Sequence, residues 1–211
     1  MSDTEAVLFD LDDTLVQYVR SPGEVLQSSY DSLDLDPLFP VGAYYDRYSE
    51  FAERYDAMDT LRAECFATLA EERGHDPDLG REVAATFAEE RDQSNVELLP
   101  GAQRVLEALA GEYRLALITN GAPDAQRAKM DAVDLDRWIE TRVIAGHETP
   151  PKPDAEPFEI ALDALDASPE TAIKVGDSLE TDVAGANAHR DRVGLALCRR
   201  EPGGSRADVP D

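Results

Sequence analysis

Basic residues are scarce in this sequence, and lysine is almost absent. The 211 residues include 45 aspartates and glutamates but only 20 lysines and arginines, which gives a formal net charge of −25. Only Lys129, Lys152 and Lys174 are lysines. Nucleic acids and anionic membrane surfaces are bound through clusters of lysine and arginine. The composition therefore argues against a nucleic-acid or membrane partner.

The sequence also lacks abundant cysteine and long apolar runs. Cys65 and Cys198 are its cysteines, and their spacing matches neither a disulfide framework nor a metal site. No apolar run approaches the roughly 20 residues that cross a bilayer. Residues 1–5 lack the basic and apolar regions of a signal peptide. We therefore expect a cytoplasmic protein, with a monomer as the default assembly.

The excess of carboxylates has two explanations. Many surface carboxylates with few lysines are typical of proteins from halophiles that accumulate salt, where high ionic strength screens the repulsion. The alternative is an acidic protein from an organism of ordinary salinity. We favour the first explanation, which predicts that the fold loses stability at low salt.

The most informative segment is residues 7–15, Val-Leu-Phe-Asp-Leu-Asp-Asp-Thr-Leu. An apolar stretch typical of a strand ends at Asp10 and Asp12, and side chains two residues apart in a strand share a face. With Asp13, three carboxylates fall within four residues, and their repulsion calls for protons or a cation. Oxygen ligands of this kind suit Mg²⁺. An ordinary strand followed by an acidic turn is the alternative interpretation of this segment taken alone.

Three further groups of polar residues follow in the order that a phosphoryl-transfer site requires. They are Thr119, Asn120 and Gly121 after the apolar segment 115–118, Lys152 between Pro151 and Pro153, and Asp177 with Asp182 after the segment 172–176. Phosphoryl transfer needs a nucleophile, an acid for the leaving group and positive charge around the transferring group. The four segments together contain residues of each kind.

Strand and helix signals alternate from about residue 98 onward. The pattern predicts strands near 115–119, 142–144, 172–176 and 193–197, and helices near 100–109, 124–133, 158–165 and 181–189. Repeated βα units predict an α/β fold with a doubly wound parallel sheet and helices on both faces. Ligands of such sheets bind at the carboxyl ends of the strands, where the polar groups lie.

Residues 17–97 interrupt this alternation. Their apolar spacing predicts helices near 24–33, 41–55, 58–73 and 79–91. We therefore expect an inserted all-helical domain after the first strand. The tail 199–211, rich in proline, glycine and charge, is expected to be flexible.

Together the four segments resemble the signature motifs of the haloacid dehalogenase-like (HAD) hydrolase superfamily: DxDxT, a strand-ending Thr or Ser, a lysine, and GDxxxD or a close variant. The resemblance extends over about residues 5–198. It implies a Rossmann-like catalytic core formed by residues 1–16 and 98–198. It also implies a helical cap of the subfamily I type formed by residues 17–97, which would act as a mobile lid that excludes water.

The resemblance assigns the chemical roles of the acidic residues. Asp10 corresponds to the nucleophile that forms an aspartyl-phosphate, and Asp12 to the general acid and base. Asp10, Asp12 through its backbone carbonyl, and Asp177 would hold Mg²⁺. Relatives that cleave carbon–halogen bonds lack an aspartate at the position of Asp12. This residue therefore favours phosphate chemistry over dehalogenation.

The remaining motif residues would bind and polarise the phosphoryl group. Thr119 would donate its hydroxyl to a phosphoryl oxygen, assisted by the backbone N–H groups of Asn120 and Gly121. Lys152 would supply positive charge to the nucleophile and the phosphate in both binding and catalysis. Asp182 would support the metal or Lys152 without itself contacting the phosphoryl group. The alternative is that Asp182 only stabilises its helix, since a carboxylate in the first turn of a helix is favourable in itself.

The resemblance implies a Mg²⁺-dependent phosphatase that hydrolyses a phosphate monoester of a small metabolite. A phosphomutase of the β-phosphoglucomutase type shares the same four motifs and is the alternative. A non-catalytic HAD-like interaction protein is disfavoured because the catalytic set is intact. In the predicted cap, Arg20 and Arg47 could grip a substrate anion or could be ion-pair partners on helix faces.

Overall fold

The computed structural model describes residues 4–52, 54, 55, 57–147 and 149–188. The chain divides into two compact units. One unit comprises Met1–Gln17 and Val96–Asp211, and the other comprises Tyr18–Asn95.

The described residues form six strands and eight α-helices. The strands are β1 (Ala6–Phe9), β2 (Val16–Tyr18), β3 (Val96–Leu98), β4 (Arg114–Asn120), β5 (Thr141–Ala145) and β6 (Ala172–Val175). The helices are α1 (Pro22–Ser32), α2 (Val41–Ala52), α3 (Met58–Glu71), α4 (Pro77–Glu90), α5 (Ala102–Leu109), α6 (Pro123–Ala132), α7 (Glu156–Ala164) and α8 (Ala184–Ala188). Short 3₁₀ turns occur at Leu135–Arg137 and Pro169–Thr171, and a π-helical turn at Leu179–Val183 leads into α8.

A parallel sheet with strand order β5-β4-β1-β6 forms the centre of the first unit. Every side chain of β1 is buried, so both faces of this strand are covered, as is usual for parallel sheets. Phe158 and Leu162 of α7 pack in one cluster with Leu8 and Ile118 of the sheet. The predicted α/β class with a parallel sheet is thereby confirmed.

The second unit contains the helices α1–α4. Helix α1 begins with a capping box, in which Ser21 accepts from the Glu24 backbone N–H and the Glu24 carboxylate accepts from the Ser21 N–H. The core of this second unit includes Phe39, Phe66 and Phe87. The Phe66 ring meets each of the other two edge to face. Gly80 allows α4 to approach α3, because a Cβ there would lie 2.4 Å from the Phe66 carbonyl oxygen.

Several details differ from the sequence expectation. Strands β2 and β3 pair with each other and were not predicted, because each spans only three residues, too few for their alternation to indicate a strand. A π-helical turn occupies residues 179–183, where the regular helix was expected to begin. The predicted strand 193–197 and the tail 199–211 lie outside the described residues. Within the described part, no helix combines the length and apolar character needed to cross a membrane.

Candidate active site

The parallel register brings the polar ends of three strands to one edge of the sheet. Phe9 of β1 is in register with Leu117 of β4 and Val175 of β6. Asp10 continues this alignment, because its backbone N–H donates to the Val175 carbonyl at 2.9 Å. The first, second and fourth motif segments therefore converge at the carboxyl ends of β1, β4 and β6.

Lys152 is the central cation of the site. Its Nζ lies 2.6 Å from Asp10 Oδ1, 2.7 Å from Asp182 Oδ1 and 2.9 Å from the Ile118 carbonyl oxygen. An ammonium group has three N–H donors, so these three acceptors use its full capacity. The side chain is only 4% exposed, and its charge is directed at Asp10.

Asn120 holds the loop that carries Lys152. Its side-chain Oδ1 accepts from the Lys152 backbone N–H at 2.8 Å, and its Nδ2 donates to the Lys152 carbonyl at 3.1 Å. This two-point contact joins the end of β4 to the lysine loop. Sequence reasoning considered only the backbone N–H of Asn120, so the contribution of its side chain was missed.

Asp182 is a buried countercharge for two lysines. Its Oδ1 accepts from Lys152 and lies 3.1 Å from Lys174 Nζ, while Oδ2 accepts from the Ser178 backbone N–H. Burial acts to raise the pKa of Asp182, but the ammonium groups of Lys174 and Lys152 outweigh it and lower that pKa. Gly176 leaves room for this carboxylate, because a Cβ there would lie 2.3 Å from Asp182 Oδ2.

Lys174 is the most buried of the three lysines, at 1% exposure. Burial and repulsion from Lys152 lower the pKa of Lys174 to about 8, despite the attraction of Asp182 and Asp10. The lysine stands on β6, in register with Leu8 of β1.

Asp10 and Asp177 form a carboxylate pair with a hydroxyl between them. The Thr14 hydroxyl lies 3.4 Å from Asp10 Oδ2 and 3.5 Å from Asp177 Oδ1. Burial raises the pKa of Asp10 in spite of the opposing charge of Lys152. Partial burial, followed by repulsion from Asp10, raises the pKa of Asp177. Burial therefore makes the ionised form of both carboxylates less favourable.

These residues fit a divalent cation. Asp10, Asp177 and Asp182 each offer an oxygen, and the three atoms lie within 4.8 Å of one another. Because Asp182 Oδ1 already lies within 3.1 Å of two ammonium groups and Asp10 contacts only one of them, Asp10 and Asp177 are the better ligands. A hard cation such as Mg²⁺ prefers oxygen ligands and would offset the negative charge of the two carboxylates.

The Asp12 carboxylate points to a different set of partners. Its Oδ1 lies 2.7 Å from Lys129 Nζ, and its Oδ2 accepts from Gln126 Nε2 at 2.9 Å. The side chain of Asp12 is 40% exposed, whereas that of Lys129 is 7% exposed. The Asp12 carboxylate is not among the three that could hold a metal ion, so a role of Asp12 in metal binding depends on its backbone carbonyl.

Thr119 lies near the end of β4 and is 1% exposed. Its Oγ1 accepts from Gln126 Nε2 at 2.6 Å. Gly121 follows with φ of 132°, a backbone conformation that favours glycine. The Gly121 N–H donates to the Ala145 carbonyl at 3.3 Å, so a phosphoryl group would have to share it with that carbonyl.

Sequence reasoning gave no role to Lys129, Gln126 or Lys174. Lysine scarcity was the signal that could have found two of them. The chain has three lysines, and each is buried and lies within 3.1 Å of a motif aspartate. In a protein where arginine supplies the other basic residues, a retained lysine marks a place where a compact ammonium group is needed.

The arginines considered as substrate ligands in the second unit have carboxylate partners. Arg20 Nη1 lies 3.1 Å from Glu90 Oε2. Arg47 contacts Glu50 and Glu72, both at 2.7 Å. The ion-pair interpretation therefore describes these two residues in this structure.

Comparison with known proteins assigns this chain to a family. A family model described as haloacid dehalogenase-like hydrolase matches residues 4–190. The chain belongs to this hydrolase family. A ribulose-1,5-bisphosphate 5-phosphatase from Halopiger xanaduensis is 30% identical, over 93% of this chain and 84% of that protein. The family membership that the sequence motifs predicted is confirmed.

Other relatives match over shorter stretches. A phosphoserine phosphatase from Thermus thermophilus is 39% identical over 60% of this HAD-like chain and 50% of its own length. A glyceraldehyde 3-phosphate phosphatase from Pyrococcus furiosus is 39% identical over 42% of this chain and 37% of its own length. The matched regions thus span half or less of these two proteins.

Solved structures share the fold. The HAD-hydrolase YfnB from Bacillus subtilis superposes with a TM-score of 0.73 at 20% identity, covering 99% of this chain and 91% of YfnB. At this level of identity the likeness shows the fold alone.

Proposed function

We propose that this HAD-like hydrolase is a Mg²⁺-dependent phosphatase that hydrolyses a phosphate monoester through an aspartyl-phosphate on Asp10. The observation that carries the proposal is the Lys152 ammonium group, 2.6 Å from Asp10 Oδ1. A carboxylate held beside a buried cation, at the edge where Thr119 and Asp177 converge, suits in-line attack on an anionic phosphoryl group.

Each residue of the proposed site then has a chemical task. Asp10 Oδ attacks phosphorus as the bond to the leaving oxygen breaks, and Asp12 gives that oxygen a proton. In the second step Asp12 takes a proton from water as the water attacks phosphorus and Asp10 departs. Lys152 and the Thr119 hydroxyl offset charge on the phosphoryl oxygens, aided by the Asn120 and Gly121 backbone N–H groups.

The metal would be held by Asp10, Asp177 and the Asp12 carbonyl, with Asp182 supporting Lys152. When bound, Mg²⁺ supplies positive charge that offsets the carboxylates and the substrate phosphate. Without it, Asp10 and Asp177 would present negative charge to an anionic substrate, which is why we propose that activity needs the metal.

The proposed substrate is a small phosphorylated metabolite. The names of the relatives describe phosphatases of phosphoserine, glyceraldehyde 3-phosphate and ribulose 1,5-bisphosphate. These molecules share a phosphate ester on a small polar carbon skeleton. We assign the choice among such skeletons to the helical residues 17–97, acting as a cap, and phosphoryl transfer to residues 1–16 and 98–198.

The proposal is tested by measuring phosphate release from p-nitrophenyl phosphate and a panel of small phosphate monoesters at high salt. We expect hydrolysis with Mg²⁺, loss of activity in excess chelator and loss of activity in Asp10→Asn. Asp163→Asn, an exposed position on α7, is the matched control and should retain activity. Hydrolysis that persists in chelator or in Asp10→Asn contradicts the proposal.

The alternatives predict other outcomes of the same assay. A phosphomutase would convert a sugar phosphate into its isomer with little release of phosphate. A non-catalytic interaction protein would leave every ester intact. No feature of the described residues favours either over the phosphatase.

A further inference from the structure

We propose that Lys129 and Gln126 are positioning residues that fix the Asp12 carboxylate for proton transfer. This inference rests on the proposed function, in which Asp12 is the acid and base. It starts from the three lysines. Lys152 and Lys174 share Asp182, whereas Lys129 is buried apart from them against Asp12.

Helix α6 presents the two residues together. Gln126 and Lys129 are three positions apart, which places them on one face of a helix. Helix α6 begins at Pro123, with proline near its first position, where no backbone donor is lost. Gln126 is 2% exposed and Lys129 is 6% exposed. Burying an amide and an ammonium group is costly unless their hydrogen bonds are made, and Asp12 supplies an acceptor to each.

The contacts hold both oxygens of one carboxylate. Lys129 Nζ donates to Asp12 Oδ1 at 2.7 Å, and Gln126 Nε2 donates to Oδ2 at 2.9 Å. Two donors from one helix fix the rotation of the carboxylate plane. Asp12 itself is 40% exposed, so without these donors a short side chain at this position would be free to turn into solvent.

Gln126 also connects Asp12 to the phosphoryl-binding hydroxyl. The same Nε2 lies 2.6 Å from Thr119 Oγ1 and 2.9 Å from the Asn120 carbonyl oxygen, so three acceptors share its two N–H groups. The Thr119 O–H lies 3.3 Å from the Asn120 carbonyl, and because Oγ1 accepts from the amide, that O–H is the group that would turn to donate to a phosphoryl oxygen. Gln126 therefore orders the proton-transfer carboxylate and the phosphoryl donor relative to each other.

The kinetic test uses Lys129→Met and Gln126→Leu, which remove the donors and keep much of the volume. Both should lower kcat by about 10–100-fold, part of the 10²–10⁴-fold that acid–base catalysis contributes, with KM changed less than about threefold. The loss should be larger for an alkyl phosphate than for p-nitrophenyl phosphate, because the poorer leaving group needs the proton more. Arg127→Ala, a cation on the same helix with 62% side-chain exposure, is the control and should leave kcat unchanged.

A double-mutant cycle shows whether the residues act through Asp12. In an Asp12→Asn background, measured with p-nitrophenyl phosphate, Lys129→Met should cause less than a further twofold loss, because the group it positions is already inactive. Equal losses in both backgrounds overturn the proposal, as does a rise in KM that accounts for the whole effect. Folding of each variant is checked by circular dichroism. If Lys129→Met does not fold, Gln126→Leu replaces it in the double-mutant cycle.

A structural measurement, which does not depend on enzymatic activity, distinguishes failure of this inference from failure of the proposed function. Crystal structures should show the Asp12 carboxylate in one orientation in the wild type and in several in Lys129→Met. An inactive wild type with an ordered Asp12 would refute the phosphatase and leave the positioning intact. A wild-type Asp12 turned away from Lys129, or an unchanged Asp12 in the variant, refutes the positioning.

Discussion

Lys152 Nζ lies 2.6 Å from Asp10 Oδ1 and 2.7 Å from Asp182 Oδ1, so one buried ammonium group joins two carboxylates. Lys174 adds a second ammonium group at 3.1 Å from Asp182. Within this cluster Asp182 is the carboxylate that balances two cations. The proposed nucleophile, Asp10, is therefore connected through Lys152 to Asp182 and Lys174.

Asp182→Asn should destabilise the protein and lower its activity. The substitution leaves two buried ammonium groups with less negative charge, and removal of one partner from a buried ion pair costs about 3–5 kcal/mol. Urea denaturation measures the loss. Asp163→Asn at the surface of α7 is the control, and equal stability of the two variants would contradict the role of Asp182 as countercharge.

Asp177→Asn should stabilise the metal-free protein and remove its response to Mg²⁺. Burial and repulsion from Asp10 raise the pKa of Asp177, so its ionised form opposes folding at neutral pH. The neutral amide of Asn removes this unfavourable charge. Thermal unfolding with and without Mg²⁺ should therefore show a higher metal-free Tm than wild type and no increase on adding the ion. A full increase in the variant would place the ion elsewhere.

Lys174→Met should be more stable than wild type near pH 7, and the difference should shrink as the pH rises. The pKa of Lys174 is lowered to about 8 by burial, whereas an unfolded lysine titrates near 10.4. Between these values the unfolded chain binds more protons, so the stability that wild type draws from this group rises with pH.

The measurement is the free energy of unfolding of both proteins from pH 7 to pH 10. The other ionisable groups are common to both proteins, so their effects cancel in the difference. A stability difference that stays constant over this pH range would mean that Lys174 does not titrate abnormally.

Stability should increase with salt. The net charge of −25 produces repulsion that is reduced when the Debye length falls to about 3 Å at molar salt. We expect the midpoint of urea unfolding to rise between low and molar KCl. A midpoint that is insensitive to KCl would favour the acidic protein of ordinary salinity over the halophilic explanation.

The sequence predicted the positions of the motif residues better than their contacts. Asp10, Thr119 and Asp177 each lie at or just beyond the end of an apolar strand, and strand register alone brings such ends together. The partners of Asp12 could not be predicted in this way, because they come from the inward face of α6. Whether Gln126 and Lys129 face the sheet depends on how that helix packs, which periodicity does not determine.

The β2–β3 pairing was missed for a related reason. Val16 and Val96 are buried, but each begins a strand of three residues. Two such strands, separated by the whole helical unit in sequence, carry too little local pattern to predict that they meet. Their pairing is a property of the folded chain.

The most direct test of the account is to identify the residue that becomes phosphorylated. The wild-type enzyme is mixed with p-nitrophenyl phosphate and Mg²⁺, quenched in acid within one turnover, and mapped by mass spectrometry. We predict a phosphoryl group on the peptide that carries Asp10, absent in Asp10→Asn. Phosphorylation of any other residue, or turnover without a phosphorylated enzyme, would contradict the assignment of Asp10 as nucleophile.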